Sequence, residues 1–185
     1  MTLTALSLDN LTLSITQEMH VRASLEATFS ALLEESGPAN VTPDGKPLPM
    51  VIEPRPGGRW FRDLGQDNGH FWGVVQAIKR PTLLEISGPL FMSSPVLSNV
   101  QYRLKEVDGG TVIAFQHLAF GFIPDDYRSG IGSGWSSILE RVRATAERER
   151  SHNGVSPGGR DAFLAFFDKS FGPRIAELNK STGRK

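Results

Sequence analysis

The chain changes character near residue 120, and that change constrains its fold more than any other feature. From about residue 48 to 120, short apolar runs are separated by Gly, Pro, Asn and Asp, the pattern of strands and turns. Between about 127 and 148 the period becomes helical: Ile131, Trp135, Ile138, Leu139 and Val142 fall on one stripe. Strands followed by one long amphipathic helix predict an α+β fold, a curved antiparallel sheet closed by the helix. Such an architecture often holds a cavity between its two layers. That cavity is the best functional clue, because no catalytic motif stands out.

The remaining elements follow from local pattern. Leu11, Leu13 and Ile15 alternate with Thr12, Ser14 and Thr16, and Met19 and Val21 follow, which predicts a half-buried strand over about 11–22. The alternation breaks at Gln17-Glu18, which leaves room for a bulge or a slip of register there. Ser24 is suited to cap a helix whose face carries Leu25, Phe29, Leu32 and Leu33, ended by Gly37-Pro38. Residues 37–49 read as a loop. Strands are expected at 50–53, 59–64, 70–78, 83–87, 96–107 and 111–120, mostly joined by short turns such as Asp108-Gly109-Gly110. With the first strand this makes about seven, arranged as a meander. The long helix starts near Asp125-Asp126, acids that suit a helix N-terminus.

A domain of 11–150 is thus expected, followed by a Gly/Ser/Pro-rich linker and a C-terminal aromatic-faced helical extension over 151–185. In that extension Phe163, Phe166, Phe167 and Phe171 share a face. Packing of this 163–171 face on its own sheet is one expectation. A homodimer contact is another.

Composition excludes several classes. Lys+Arg and Asp+Glu balance at 20 each, so nothing broad attracts nucleic acid or an anionic membrane. With no cysteine there are no disulfides, thiolate metal sites or cysteine nucleophiles. Met1 to Asn10 lacks the features of a signal peptide, and no stretch has the ~18 apolar residues of a membrane span. A cytoplasmic protein is the expectation. His20, His70, His117 and His152 lack metal-ligand spacing, so no metal is expected, and no cofactor is implied. Ser133 in Gly132-Ser133-Gly134 is no nucleophile elbow, because Ile131 stands where that motif needs glycine. Arg141, Arg143, Arg148 and Arg150, interleaved with glutamates, read as a solvated helix face.

Five segments in order carry a family resemblance. Val21 to Leu32 (V-R-A-S-L-E-A-T-F-S-A-L) resembles the strand-to-helix junction of START-like (SRPBCC) domains. Pro56-Gly57-Gly58-Arg59-Trp60 resembles their "PGG" strand. Gly73 to Ile78, followed by Pro81 and Leu83-Leu84-Glu85, resembles "GxVxxI…p…L". Gly110-Thr111-Val112 with His117 and Phe120 resembles "GT…H…F", and Gly134-Trp135 resembles the "GW" at the start of the final helix. Together they are similar to the activator of heat-shock-protein ATPase homologue-like branch of that superfamily. The resemblance covers about 13–148 and implies a helix-grip fold with a cavity between sheet and helix. Superfamily members bind lipids, hormones or polyketides, and a few are enzymes. For a single-domain chain, chaperone activation is not implied. The 151–185 extension departs from the pattern. So does the loop after the first helix, which holds Pro38, Asn40 and Pro43 where the family often carries a tryptophan.

Alternation assigns the inner face of the sheet. Val100, Tyr102 and Leu104 form one set, and Ile113, Phe115 and His117 another, so Tyr102 and His117 are expected to face the helix. His117 could serve as a general base or orient a ligand, or be a buried histidine satisfied by a neighbour. Trp135 is expected on the helix stripe, with Trp60 and Trp72 near the cavity mouth. The expected ligand-binding set is therefore Trp60, Trp72, Tyr102, Phe115, His117 and Trp135, and the expected function is binding of a small apolar molecule. The alternatives are a cavity-based enzyme of the cyclase, hydrolase or isomerase kind, with Tyr102 and His117 converging on substrate, and a co-chaperone-like interaction module with an exposed apolar patch.

Overall fold

A computed structural model describes residues 11–152, with side chains to residue 148. The readings of Met1 to Asn10, of the linker and of the 163–171 aromatic face lie outside the described residues. The elements are β1 (Thr12–Val21), α1 (Leu25–Glu35), β2 (Val51–Ile52), β3 (Arg59–Gly65), β4 (Asn68–Lys79), β5 (Leu83–Gly88), β6 (Val96–Val107), β7 (Gly110–Gly121) and α2 (Asp125–His152). The seven strands form one antiparallel sheet in the order β1-β7-β6-β5-β4-β3-β2. Strands β2 to β7 are thus a meander, and the first strand joins it beside the last. The inner face of the sheet carries the stripe of α2, giving the helix-grip arrangement of an α+β fold.

Local chemistry explains the boundaries. Ser24 caps α1, its hydroxyl accepting from the Ala27 N–H at 3.2 Å. The turn between β3 and β4 needs only Gln66 and Asp67, both at positive φ (52° and 61°), between Gly65 and Asn68, which pair. That geometry matches the right-handed twist of a hairpin. Register shifts in β3 against β4 and in β4 against β5 mark bulges, which bend strands.

Two expectations are corrected. No bulge interrupts β1, which pairs with β7 without a shift from Thr12↔Phe120 to Val21↔Thr111. Gln17 keeps its inward place because its amide Nε2 donates to the Gly132 carbonyl on α2 at 2.8 Å. Nor is Arg141 part of a solvated face. It reaches Glu35 of α1 at 3.2 Å, donates to Ser137 Oγ, and lies beside Asn40 Oδ1. Thr145 donates to the other Glu35 oxygen at 2.7 Å. This partly buried cluster ties the second half of α2 to α1.

The core runs through both layers. Phe29, Leu32 and Leu33 of α1, Ile113 and Phe115 of β7, and Trp135, Leu139, Val142 and Ala146 of α2 are all buried in it. Gly134-Trp135 lies in the interior of α2, not at its start, because the helix begins at Asp125.

Candidate functional site

Period-two alternation brings Ser98, Val100, Tyr102 and Leu104 of β6 and Ile113, Phe115, His117 and Ala119 of β7 to the face that meets α2. Trp135 lies against this wall. Its ring centroid is 4.9 Å from Phe115, 5.6 Å from His117 and 6.5 Å from Tyr102, and Tyr102 meets Phe115 at 5.0 Å. Tyr102, Phe115, His117 and Trp135 are each at most 2 % exposed. Four of the six residues picked out by the sequence thus form one cluster.

The other two form a second. Trp60 and Trp72 meet edge-on at 4.9 Å, Trp72 meets Phe91 at 5.8 Å, and Phe91 stacks on Tyr127 at 5.8 Å. Both tryptophans are buried, neither standing at an exposed rim. Trp60 Nε1–H donates to the Ser36 carbonyl at 2.7 Å and Trp72 Nε1–H to His70 Nδ1 at 2.9 Å, so their polar edges are used within the protein.

The first cluster is different. Trp135 Nε1–H donates to His117 Nδ1 at 3.0 Å. A neutral imidazole carries one N–H, so acceptance at Nδ1 puts the proton on Nε2. That Nε2, the Tyr102 hydroxyl and the Ser98 hydroxyl are all buried without a hydrogen-bond partner among the described residues. Ser94 Oγ, in the loop before β6, is a fourth such atom. Val100 lies opposite His117, which makes Ser98 and Tyr102 the diagonal neighbours of the histidine on the same face. Such diagonals are about 7–8 Å apart. Burial holds the His117 imidazole well below its usual value, at about 4, and pushes the Tyr102 phenol far above its own. Both are neutral near pH 7, and what His117 offers is a donor, Nε2–H. Each unpartnered buried group costs about 1–3 kcal/mol.

Ser98 escaped the sequence reading, although its even position in β6 places a hydroxyl in the inner set with Val100, Tyr102 and Leu104.

The helix over this wall is weak where it covers it. Gly130, Gly132 and Gly134 lie within α2 between Asp125 and Trp135, and a Cβ added at any of them would meet nothing within 4 Å. Close packing therefore does not require them, and each is about 1 kcal/mol less favourable than alanine in a helix interior. Ser129 and Ser133 donate back to carbonyls three residues earlier, and Ser136 to one four residues earlier. This segment is held by Gln17 to Gly132, by Arg128 donating to the Thr12 carbonyl at 2.7 Å, and by burial of Ile131 and Trp135.

The outer face of the sheet has other chemistry. A shallow, open depression across β1, β7 and β6 is bordered by Thr16, Glu18, Gln101, Arg103, Ala114 and Gln116. At the other end of the same strands Leu97, Leu118, Phe120 and Phe122 are exposed, with Leu97 opposite Phe120. Among the described residues, no group of three His, Asp or Glu could hold a metal ion, and no helix is long and apolar enough to cross a membrane.

The sequence profile of the activator of Hsp90 ATPase homolog 1-like protein family matches residues 16–147. The chain belongs to this family. The activator of Hsp90 ATPase homolog 1-like family lies within the START-like (SRPBCC) helix-grip superfamily, and solved structures agree with that fold. Protein MLL2253 from Mesorhizobium loti superposes with a TM-score of 0.53 at 20 % identity, covering 73 % of this chain and 97 % of its own. Ara h 8.0201 does so with 0.54 at 14 % identity, over 74 % and 99 %. StfQ, a di-domain ARO/CYC from the steffimycin biosynthetic pathway, gives 0.58 at 13 % identity over 78 % of this chain but 53 % of StfQ, about half its length. Comparison with curated proteins finds no match. The matched span of this activator of Hsp90 ATPase homolog 1-like chain contains both aromatic clusters and the three helical glycines.

Proposed function

We propose that this chain binds a small apolar molecule between its sheet and α2. Tyr102, Phe115, His117 and Trp135 are the contact wall, with Trp60 and Trp72 extending it. One observation carries the reading: a buried aromatic wall holds three polar side-chain atoms that no group among the described residues satisfies. Native cores keep few such groups, and each calls for an explanation. A ligand that is mostly apolar but has a polar group would use the wall and relieve the unpartnered atoms together. The helix-grip superfamily, associated with small hydrophobic ligands, supports the same reading.

Binding is favoured over acid–base catalysis by the state of His117. Its Nδ1 is taken by Trp135 and its free Nε2 carries a hydrogen, so at neutral pH it can polarise an acceptor but cannot accept a proton there. Neither Tyr102 nor His117 projects to solvent.

Thermal unfolding of the full chain with a panel of apolar aromatic and acyl compounds tests the reading. A compound at a hundred times its Kd adds about 2.7 kcal/mol, which for a chain of 185 residues raises Tm by about 5–10 °C. Absence of any concentration-dependent rise across a broad panel overturns it. The interaction-module alternative draws support from exposed Leu97, Phe120 and Phe122 on the outer face. It predicts a stable partner protein captured by the full chain and lost with Phe120→Lys, and a pull-down that recovers no stable partner overturns it.

A further inference from the structure

The polar atoms of the inner wall restrict the ligand class, an inference that rests on the apolar-binding reading. His117 Nε2 is a donor, and Tyr102 and Ser98 are hydroxyls that can donate or accept. What this trio lacks is charge. Among the described residues Glu35 is the one other buried ionisable group, and its oxygens are occupied by Arg141 and Thr145. A carboxylate or phosphate placed against His117 would leave water with no cation to meet it, which is strongly unfavourable in such surroundings. A pure hydrocarbon would leave all three atoms unpartnered. A carbonyl oxygen has two lone pairs, enough for the His117 N–H and one hydroxyl, and brings no charge.

The route of access follows from the same geometry. None of the three atoms reaches solvent, and Trp135 covers His117 from α2. The covering segment is the one loosened by Gly130, Gly132 and Gly134, whereas the second half of α2 is fastened through Glu35, Arg141 and Thr145. We propose that the inner wall takes an uncharged apolar molecule bearing a ketone, ester or other carbonyl oxygen, held by His117 Nε2–H and the Tyr102 hydroxyl. The start of α2 carrying Trp135 moves aside to admit it.

Three probes of one shape test the class: acetylnaphthalene, naphthoate and ethylnaphthalene, substituted at the same ring position. Their affinities for the full chain are measured at pH 7 by quenching of tryptophan emission and by thermal shift. The ketone is expected to bind about tenfold more tightly than the hydrocarbon, as one hydrogen bond to an otherwise unpartnered buried donor implies. It should exceed the carboxylate by more. Tyr102→Phe, which keeps the ring, should shrink the ketone preference, and His117→Phe should abolish it while ethylnaphthalene still binds. Should His117→Phe not fold, the wild-type ranking with Tyr102→Phe decides. Naphthoate binding as tightly as the ketone, or the hydrocarbon equalling it, overturns this inference alone. Failure of all three probes to bind overturns it, and the apolar-binding reading falls with it where the broad panel is also silent.

Discussion

Replacing Tyr102 by phenylalanine should make the ligand-free protein more stable, the opposite of what loss of a tyrosine hydroxyl does in an ordinary core. The ring is 1 % exposed, and its contacts with Phe115 at 5.0 Å and Trp135 at 6.5 Å survive the substitution. Only the hydroxyl goes, and it has no partner. In the unfolded chain that hydroxyl is hydrated. Folding strips the water and no described protein group takes its place, at a cost of about 1–3 kcal/mol. Taking the lower end, because a buried side chain can relax a little, Tyr102→Phe should gain about 1 kcal/mol, or about 2–4 °C in Tm for a chain of this size. Urea titration followed by tryptophan emission gives the free energy, and an unchanged m-value shows that the comparison is fair. A loss of 1 kcal/mol or more would refute the reasoning, because it would mean that the hydroxyl is satisfied in solution. With a saturating carbonyl ligand the ordering should reverse. A residue that weakens the empty protein and strengthens the loaded one is the signature of a site held at the expense of stability.

Three further outcomes follow from the same geometry. Gly130→Ala, Gly132→Ala and Gly134→Ala together should stabilise the protein by up to about 3 kcal/mol and slow ligand association, measured by thermal melts and stopped-flow fluorescence. Unchanged stability would contradict the open space around those positions. Acid should weaken the fold through His117. Its folded value of about 4 lies below the ordinary 6.5, so the unfolded chain binds more protons between those values, and stability is lost as pH falls from about 6.5 toward 4. The slope is at most about 1.4 kcal/mol per pH unit, and His117→Phe should flatten it in a pH series of urea titrations. Arg141→Met leaves Glu35 with Thr145 alone and should cost about 3 kcal/mol by chemical denaturation. Much of that should return in the double variant with Glu35→Gln.

Alternation alone oriented β6 and β7, because one buried face fixes the parity of a strand, and the stripe of α2 named the residues that meet it. The same logic failed at Gln17. A polar residue at an inward position reads as a break in pattern, and only the carbonyl of Gly132, far along the chain, explains it. Arg141 was misread for a related reason: charges spaced along a helix look solvated until α1 brings Glu35 beside one of them. The pairing of Trp135 with His117 could not be read from spacing, since it joins a helix to a strand through one nitrogen. Its consequence is the most informative part of the site, because it decides which imidazole nitrogen is left to donate.

The sheet order has a consequence for how the chain is made. Of the described strands β1 is synthesised first and pairs with β7, the last of them, while Gln17 and the backbone N–H of Arg22 find partners on α2, on Gly132 and Glu147. Strands β2 to β7 can pair in the order they leave the ribosome, each with the one before it. β1 cannot. It must wait while about a hundred residues are added, on the order of ten seconds at ordinary translation speed. During that interval an amphipathic strand has no partner, and the wall of Tyr102, Phe115 and His117 stays uncovered until α2 follows. The nascent domain is therefore most exposed to wrong partners just before α2 emerges, and it closes around its own interior in one late step.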